Sequence, residues 1–381
     1  MLSIADIGQK ARLALTLGVL LGAFALVASC QEEARAPADA TEAPSEVVVE
    51  SDGTVHVPAM VVPVSEFLSP EGKAYLAERL YAIHRPELAE VVNGVPASLR
   101  GYMARQKELF PVDKKDTSIA GVHVYDYVPQ EGVASGNERR VMINLHGGAF
   151  LTCWPACAEL ESAPIASLAK IRVVSVDYRQ GPDHRFPAAS EDVAAVYGEL
   201  LKTYPPENIG IYGCSAGGML TGMAVAWFQK HDLPAPGAIG IYCAGSAPPV
   251  MGFGGDANYT TAAIGEARPP FPAPEKPEEG EPEYSGMLYL SEVDARDPLV
   301  APTTSDEVLS KFPPTQIITA TRGFELSSAV YTHSRLVRLG VEAELHVWEG
   351  MFHGFYYNPD PPESRDAYKV MVKFFDEHLG K

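Results

Sequence analysis

Six residues, Gly213-Cys214-Ser215-Ala216-Gly217-Gly218, constrain the chain more than any other stretch. The apolar run Asn208-Ile-Gly-Ile-Tyr212 leads in, and an amphipathic stretch from Met219 to Lys230 leads out. Alone, the pattern is a glycine-rich turn. Between a strand and a helix, G-x-S-x-G becomes informative, because a sharp turn there strains the middle residue and exposes its hydroxyl. Gly213 and Gly217 are expected where a Cβ would strike the neighbouring strand or helix. The helix after Ser215 aims its free N–H groups and positive dipole end at the same point. Ser215 is the candidate nucleophile.

Upstream, His146-Gly147-Gly148-Ala149-Phe150 follows directly on the apolar strand Arg139 to Leu145. Two glycines let the backbone turn so that N–H groups face a nucleophile. Fixed donors stabilise the oxyanion formed when a carbonyl is attacked. Gly147 and Gly148 are the expected donors, with Ala216 N–H as the other. A serine also needs a base. Among ten histidines, His353 in Glu349-Gly-Met-Phe-His-Gly-Phe stands in a glycine-bounded loop just past the last strand, where active sites of open α/β sheets gather. His333 falls within a helix and is read as structural, His146 as held in its own turn, and His184 and His346 have no comparable setting.

Strands are expected at Val122 to Val128, Ile171 to Val176, Ala238 to Cys243, Gln316 to Ala320 and Ala343 to Trp348. Helices are expected from Ala188 to Thr203, Leu326 to Leu339 and Glu363 to Leu379. Short apolar strands alternating with helices imply a parallel sheet covered on both faces. Ser69 to Arg85, with proline in its first turn, and Pro96 to Phe110 read as two further helices.

From about Val61 onward these motifs resemble the hormone-sensitive-lipase-like branch of the α/β-hydrolase fold. The resemblance rests on His146–Ala149, Asp177-Tyr178-Arg179, Gly213–Gly218 and Glu349–Phe355. It implies an α/β fold with a mostly parallel central sheet and a helical cap, built from about 61–115 and 247–290. It also implies hydrolysis of small carboxylic esters through an acyl-enzyme, without metal or cofactor, so the expected partner is a small-molecule ester.

Two departures matter. The family's elbow aspartate is Cys214 here; a cysteine nucleophile would sit off-centre in the motif. The family's triad acid follows the strand ending in Thr321-Arg322, where this chain has Gly323. Losing that carboxylate costs serine proteases about 10⁴ in turnover. Glu325, two residues on, could reach in, or could serve only the following helix dipole. Asp294 and Asp297 are alternatives, although Asp297-Pro298 also reads as a turn. A non-catalytic or weakly active ligand-binding protein that lost its acid is the competing reading.

The N-terminus carries a separate signal. Lys10 and Arg12 precede an apolar run from Leu13 to Val27 that ends Val27-Ala28-Ser29-Cys30. This is the pattern of an export signal, and the run is short for a membrane span. Its ending resembles a lipobox, which makes 1–29 the signal and Cys30 the lipidated first residue; a plain signal peptide is the alternative. A tether over 30–60 follows, rich at first in Ala, Glu and Pro, and the hydrolase domain occupies 61–381. The expected location is a bacterial membrane facing the periplasm, with Gln31 favouring the outer membrane. The net charge of −19 argues against nucleic acid as a partner. Cys153 and Cys157 read equally as a disulfide or as two buried thiols. No zinc-type Cys/His spacing or phosphate-binding loop occurs.

Overall fold

In the computed structural model, one eight-stranded sheet carries the chain's chemistry on a single edge. The structure describes residues 46–85, 91–92, 95–248, 255–261, 264–265 and 287–380. The expected signal, Cys30, the start of the tether and the Pro-rich stretch 269–283 lie outside the described residues. Among the described residues, two units separate between Ser65 and Glu66. The first holds a small antiparallel pair, Val48–Val49 with Val55–His56.

In the second unit the strands are β1 (Val112–Ile119), β2 (Val122–Pro129), β3 (Val141–Leu145), β4 (Arg172–Val176), β5 (Ile209–Cys214), β6 (Ala238–Tyr242), β7 (Thr315–Ala320) and β8 (Ala343–Trp348). Their spatial order is β1-β2-β4-β3-β5-β6-β7-β8. The strands from β4 to β8 pair in parallel, while β2 pairs antiparallel with β4 and with β1. A parallel strand needs a crossover back to the same edge. The loops after β3, β5, β7 and β8 therefore all open at the strands' C-terminal ends, where the site lies.

Helices are α1 (Pro70–Ile83), α2 (Ala97–Leu109), α3 (Ala156–Ala169), α4 (Ala188–Leu200), α5 (Ala216–Lys230), α6 (Leu326–Arg338) and α7 (Pro362–His378). Alternation along β5 separates the two faces. Ile209 and Ile211 join Val193, Val196, Leu220 and Met223 of α4 and α5 in the main core. Tyr212 points the other way, donating its hydroxyl to Glu161 O of α3 at 3.0 Å and packing on Phe375 of α7. Both faces are covered, as the alternating pattern predicts.

The pair Val48–Val49 with Val55–His56 falls within the expected tether, and in the main sheet and its cover β1 and α3 were not anticipated either. β1 reads Val-Asp-Lys-Lys-Asp-Thr-Ser-Ile and is largely exposed; it is an edge strand whose charges blunt further pairing. α3 is apolar on nearly all sides, contains Pro164 and is almost wholly buried, so no amphipathic period marks it. Helix α5 begins directly after Ser215, at Ala216, as expected.

The two N-terminal helices pack over the histidine loop. Tyr75 of α1 meets Phe352 edge-on at 4.9 Å, and Gln106 of α2 donates to Tyr357 O at 3.1 Å. Ser69 caps α1 by accepting from Gly72 N–H at 2.9 Å, and its own hydroxyl donates to Glu363 at 2.8 Å. Ser69→Ala removes both bonds and should cost about 1–2 kcal/mol, read as a lower urea midpoint at unchanged m-value.

Candidate active site

The elbow is built by close backbone approach. A Cβ on Gly217 would lie 1.7 Å from Leu145 O, and one on Gly213 would lie 2.2 Å from that oxygen. Only glycine allows β3, β5 and α5 to converge there. Ser215 sits at φ 59°, ψ −122°, a sparsely populated backbone state that costs energy and is held by its surroundings. One such restraint is its N–H, which donates to Tyr242 O at 2.8 Å. Ser215 is partly exposed, whereas Cys214 is buried at 1%. The hydroxyl, not the thiol, faces the site.

His353 leaves β8 in a turn that Gly354 completes at φ 67°. Its Nδ1 lies 3.0 Å from Glu325 Oε2, and Glu325 Oε1 accepts the Thr319 hydroxyl at 3.0 Å. Glu325 is fully buried. Burial is the largest influence and pushes its carboxyl up. The His353 charge and hydrogen bond, with bonds from its own N–H and Thr319, outweigh this and hold it below the ordinary value. Such a carboxylate fixes the imidazole's tautomer and stabilises an imidazolium. Asp297 instead accepts Leu299 N–H, and Asp294 accepts Arg296 N–H, both at 2.9 Å; each shapes its own turn. Among the described residues, the hydrogen bonds of His353 do not include one to Ser215 Oγ. The histidine loop still meets the elbow, through Gly354 N–H on Cys243 Sγ at 3.3 Å beside Cys214.

The oxyanion loop requires a correction. Gly147 N–H donates to Glu161 Oε1 at 2.9 Å, so it is already committed and does not face the nucleophile as a free donor. Gly148 (φ 122°), Ala149 (φ 57°) and Phe150 (φ 55°) all have positive φ. Gly148 and Ala216 N–H remain as expected donors. His146 is buried and pushed down to about 4 by that burial. It stacks on Tyr178 at 4.4 Å, and the Tyr178 hydroxyl donates to His146 O at 2.6 Å. The Asp-Tyr-Arg motif thus shores up the loop: Arg179 pairs with Asp192, and Asp177 with His123. Cys153 and Cys157 form a disulfide just beyond it. His333 bonds Ala343 O within the scaffold.

Cys243, Glu325 and His353 bring potential ligand atoms within 4.8 Å of one another. Burial pushes the Cys243 thiol well up, and the other two groups hydrogen-bond each other.

A serine at a strand-to-helix elbow and a histidine held by a buried carboxylate at one sheet edge define a hydrolase-type site. The sequence profile of the alpha/beta hydrolase fold family matches residues 142–357, more than half of the chain, and the chain belongs to that family. It is 28% identical to an acetyl-hydrolase of Streptomyces hygroscopicus over 64% of this chain and 77% of that protein. It is 29% identical to an esterase of Mycobacterium tuberculosis over 64% and 79%. Among solved structures it is similar to esterase E25, with TM-score 0.69 and 29% identity, covering 85% of this chain and 98% of that one. An esterase of the bacterial hormone-sensitive lipase family shares the fold at TM-score 0.66 and 24% identity, over 81% and 99%.

Proposed function

We propose that this protein is a carboxylesterase-type hydrolase acting on esters of short or small acyl groups through an acyl-enzyme on Ser215. The hydrogen bond from His353 to the buried Glu325 carboxylate carries this reading. His353 takes the Ser215 proton as the hydroxyl attacks the ester carbonyl, then gives it to the departing alcohol. Gly148, Ala149 and Ala216 N–H stabilise the oxyanion in each half-reaction. Water, deprotonated by the same imidazole, releases the acid and restores the serine. The non-catalytic or weakly active alternative rests on a missing acid, and the Glu325 carboxylate on His353 supports the catalytic reading over it. The test is end-point labelling by an organophosphate, with the modified peptide identified by mass spectrometry. Absence of label at Ser215 in protein that hydrolyses p-nitrophenyl acetate would reject the mechanism.

The proposal extends to location. Among the described residues, no helix is long and apolar enough to cross a membrane, and the lipobox-like ending at Cys30 offers another means of attachment. Cys30→Ser expressed in a Gram-negative host should move the protein from the detergent phase to the aqueous phase. Unchanged partitioning would reject the lipid anchor.

A further inference from the structure

Glu161 lies on α3, within the family match but in none of the motifs that carry the chemistry, and is 4% exposed. Its carboxylate takes four donors from four different elements. Oε1 accepts Gly147 N–H at 2.9 Å and the Tyr357 hydroxyl at 2.7 Å. Oε2 accepts Asn144 Nδ2 at 3.0 Å and Cys214 N–H at 3.2 Å. Gly147 opens the oxyanion loop, Cys214 immediately precedes the nucleophile, and Tyr357 closes the histidine loop. One side chain therefore joins the three segments that must hold register during the reaction.

Filling space does not account for this residue. A buried carboxylate is costly unless every lone pair is used, and an apolar side chain would fill the volume at lower cost. All four partners are donors, and among common side chains only an ionised carboxylate presents about four acceptor positions and no donor. Glutamine would turn an NH₂ against two of those donors. Cys214 occupies the elbow position that bears aspartate in the resembling family, and its side chain lies against the Tyr357 hydroxyl. The carboxylate missing from the elbow arrives instead from α3.

Resting on the proposed hydrolysis, we propose that Glu161 is a positioning residue, whose buried carboxylate sets the oxyanion loop, elbow and histidine loop in register and so governs turnover rather than ester binding. Burial pushes its carboxyl up to about 7, against the pull of Tyr357, Gly147, Asn144 and Cys214. The titratable groups facing it are Tyr357 and Tyr356 of the histidine loop, Tyr212 of β5, Tyr178 after β4, and Cys214. Burial pushes the four tyrosines well up, so they stay neutral as Glu161 titrates. Below about pH 7 the carboxyl gains a proton, and one of its four donors must turn away. Its protonation then lowers turnover on the acid side.

The test compares wild type, Glu161→Gln, Glu161→Asp, Glu161→Gln/Cys214→Asp and Ser215→Ala on p-nitrophenyl acetate across pH 5–9, with turnover expressed per organophosphate-titrated site. Glu161→Gln should lower kcat per site about 100-fold with KM within about twofold, and its acid limb should lose the step that wild type shows near pH 7. Cys214→Asp on that background should recover part of kcat. If Glu161→Gln does not fold, Glu161→Asp decides: about a tenfold loss in kcat is expected, and wild-type kcat overturns the proposal. A loss confined to the number of titratable sites, with normal turnover at each, also overturns it, because that is a folding defect alone. Retained activity in Ser215→Ala would reject the serine mechanism itself, an outcome separate from wild-type behaviour of the Glu161 variants.

Discussion

Ser215→Ala is expected to lose at least about 10³-fold in kcat on an activated short-chain ester while keeping the wild-type fold. The fold should survive because the Ser215 side chain makes no capping bond to α5, and alanine meets the same backbone strain as serine. The restraint on that strain, Ser215 N–H to Tyr242 O, is a main-chain bond that the substitution leaves in place. What disappears is the bond-forming oxygen. Residual turnover should reflect the oxyanion donors and ester binding acting on water, which in other serine hydrolases leaves 10³–10⁴ over the uncatalysed rate. Steady-state kinetics with circular dichroism measure both halves, and wild-type turnover in a folded variant would reassign the nucleophile.

The elbow was legible because its requirements are local. Glycines where no Cβ fits, a buried strand before and a helix after leave a periodic trace in the chain, and the structure places Gly213 and Gly217 against Leu145 O as that trace implies. The sheet was legible for the same reason, except at its charged edge. Contacts between distant segments leave no such trace. Gly147 N–H looked like an oxyanion donor until α3 brought Glu161 to it, and α3 itself has no polar face to show its period. Sequence left the acid open between Glu325 and the Asp294/Asp297 segment, and only the path of β7 and β8 brings one of these carboxylates to His353.

That decision yields the sharper result. Glu325→Gln should cut kcat by about 10³–10⁴ with little change in KM, since the imidazole's neighbour persists but no longer holds the tautomer or balances its charge. Gly323, at the place of the family's aspartate, explains how a residue two positions later can serve. A Cβ on Gly323 would lie 2.5 Å from Glu325 Oε1 and 2.9 Å from Oε2. The glutamate head group fills the space where a side chain at 323 would begin, so glycine and the longer acid belong together. Gly323→Asp alone should therefore lower activity by displacing Glu325. Gly323→Asp combined with Glu325→Ala empties that space, and should regain part of what Glu325→Ala loses. Stability supplies an independent check. The Glu325 carboxyl is held below its ordinary value of 4.5. Its contribution is present above that pH and lost as pH falls through the folded value. The Tm gap between wild type and Glu325→Gln should accordingly narrow on acidification below about 4.5. Full activity in Glu325→Gln would move the acid elsewhere, and Asp294 and Asp297 would be the next to replace. Each of those carboxylates already holds a turn amide, so their loss should appear as altered stability of the 294–299 turn without the 10³-fold effect on kcat.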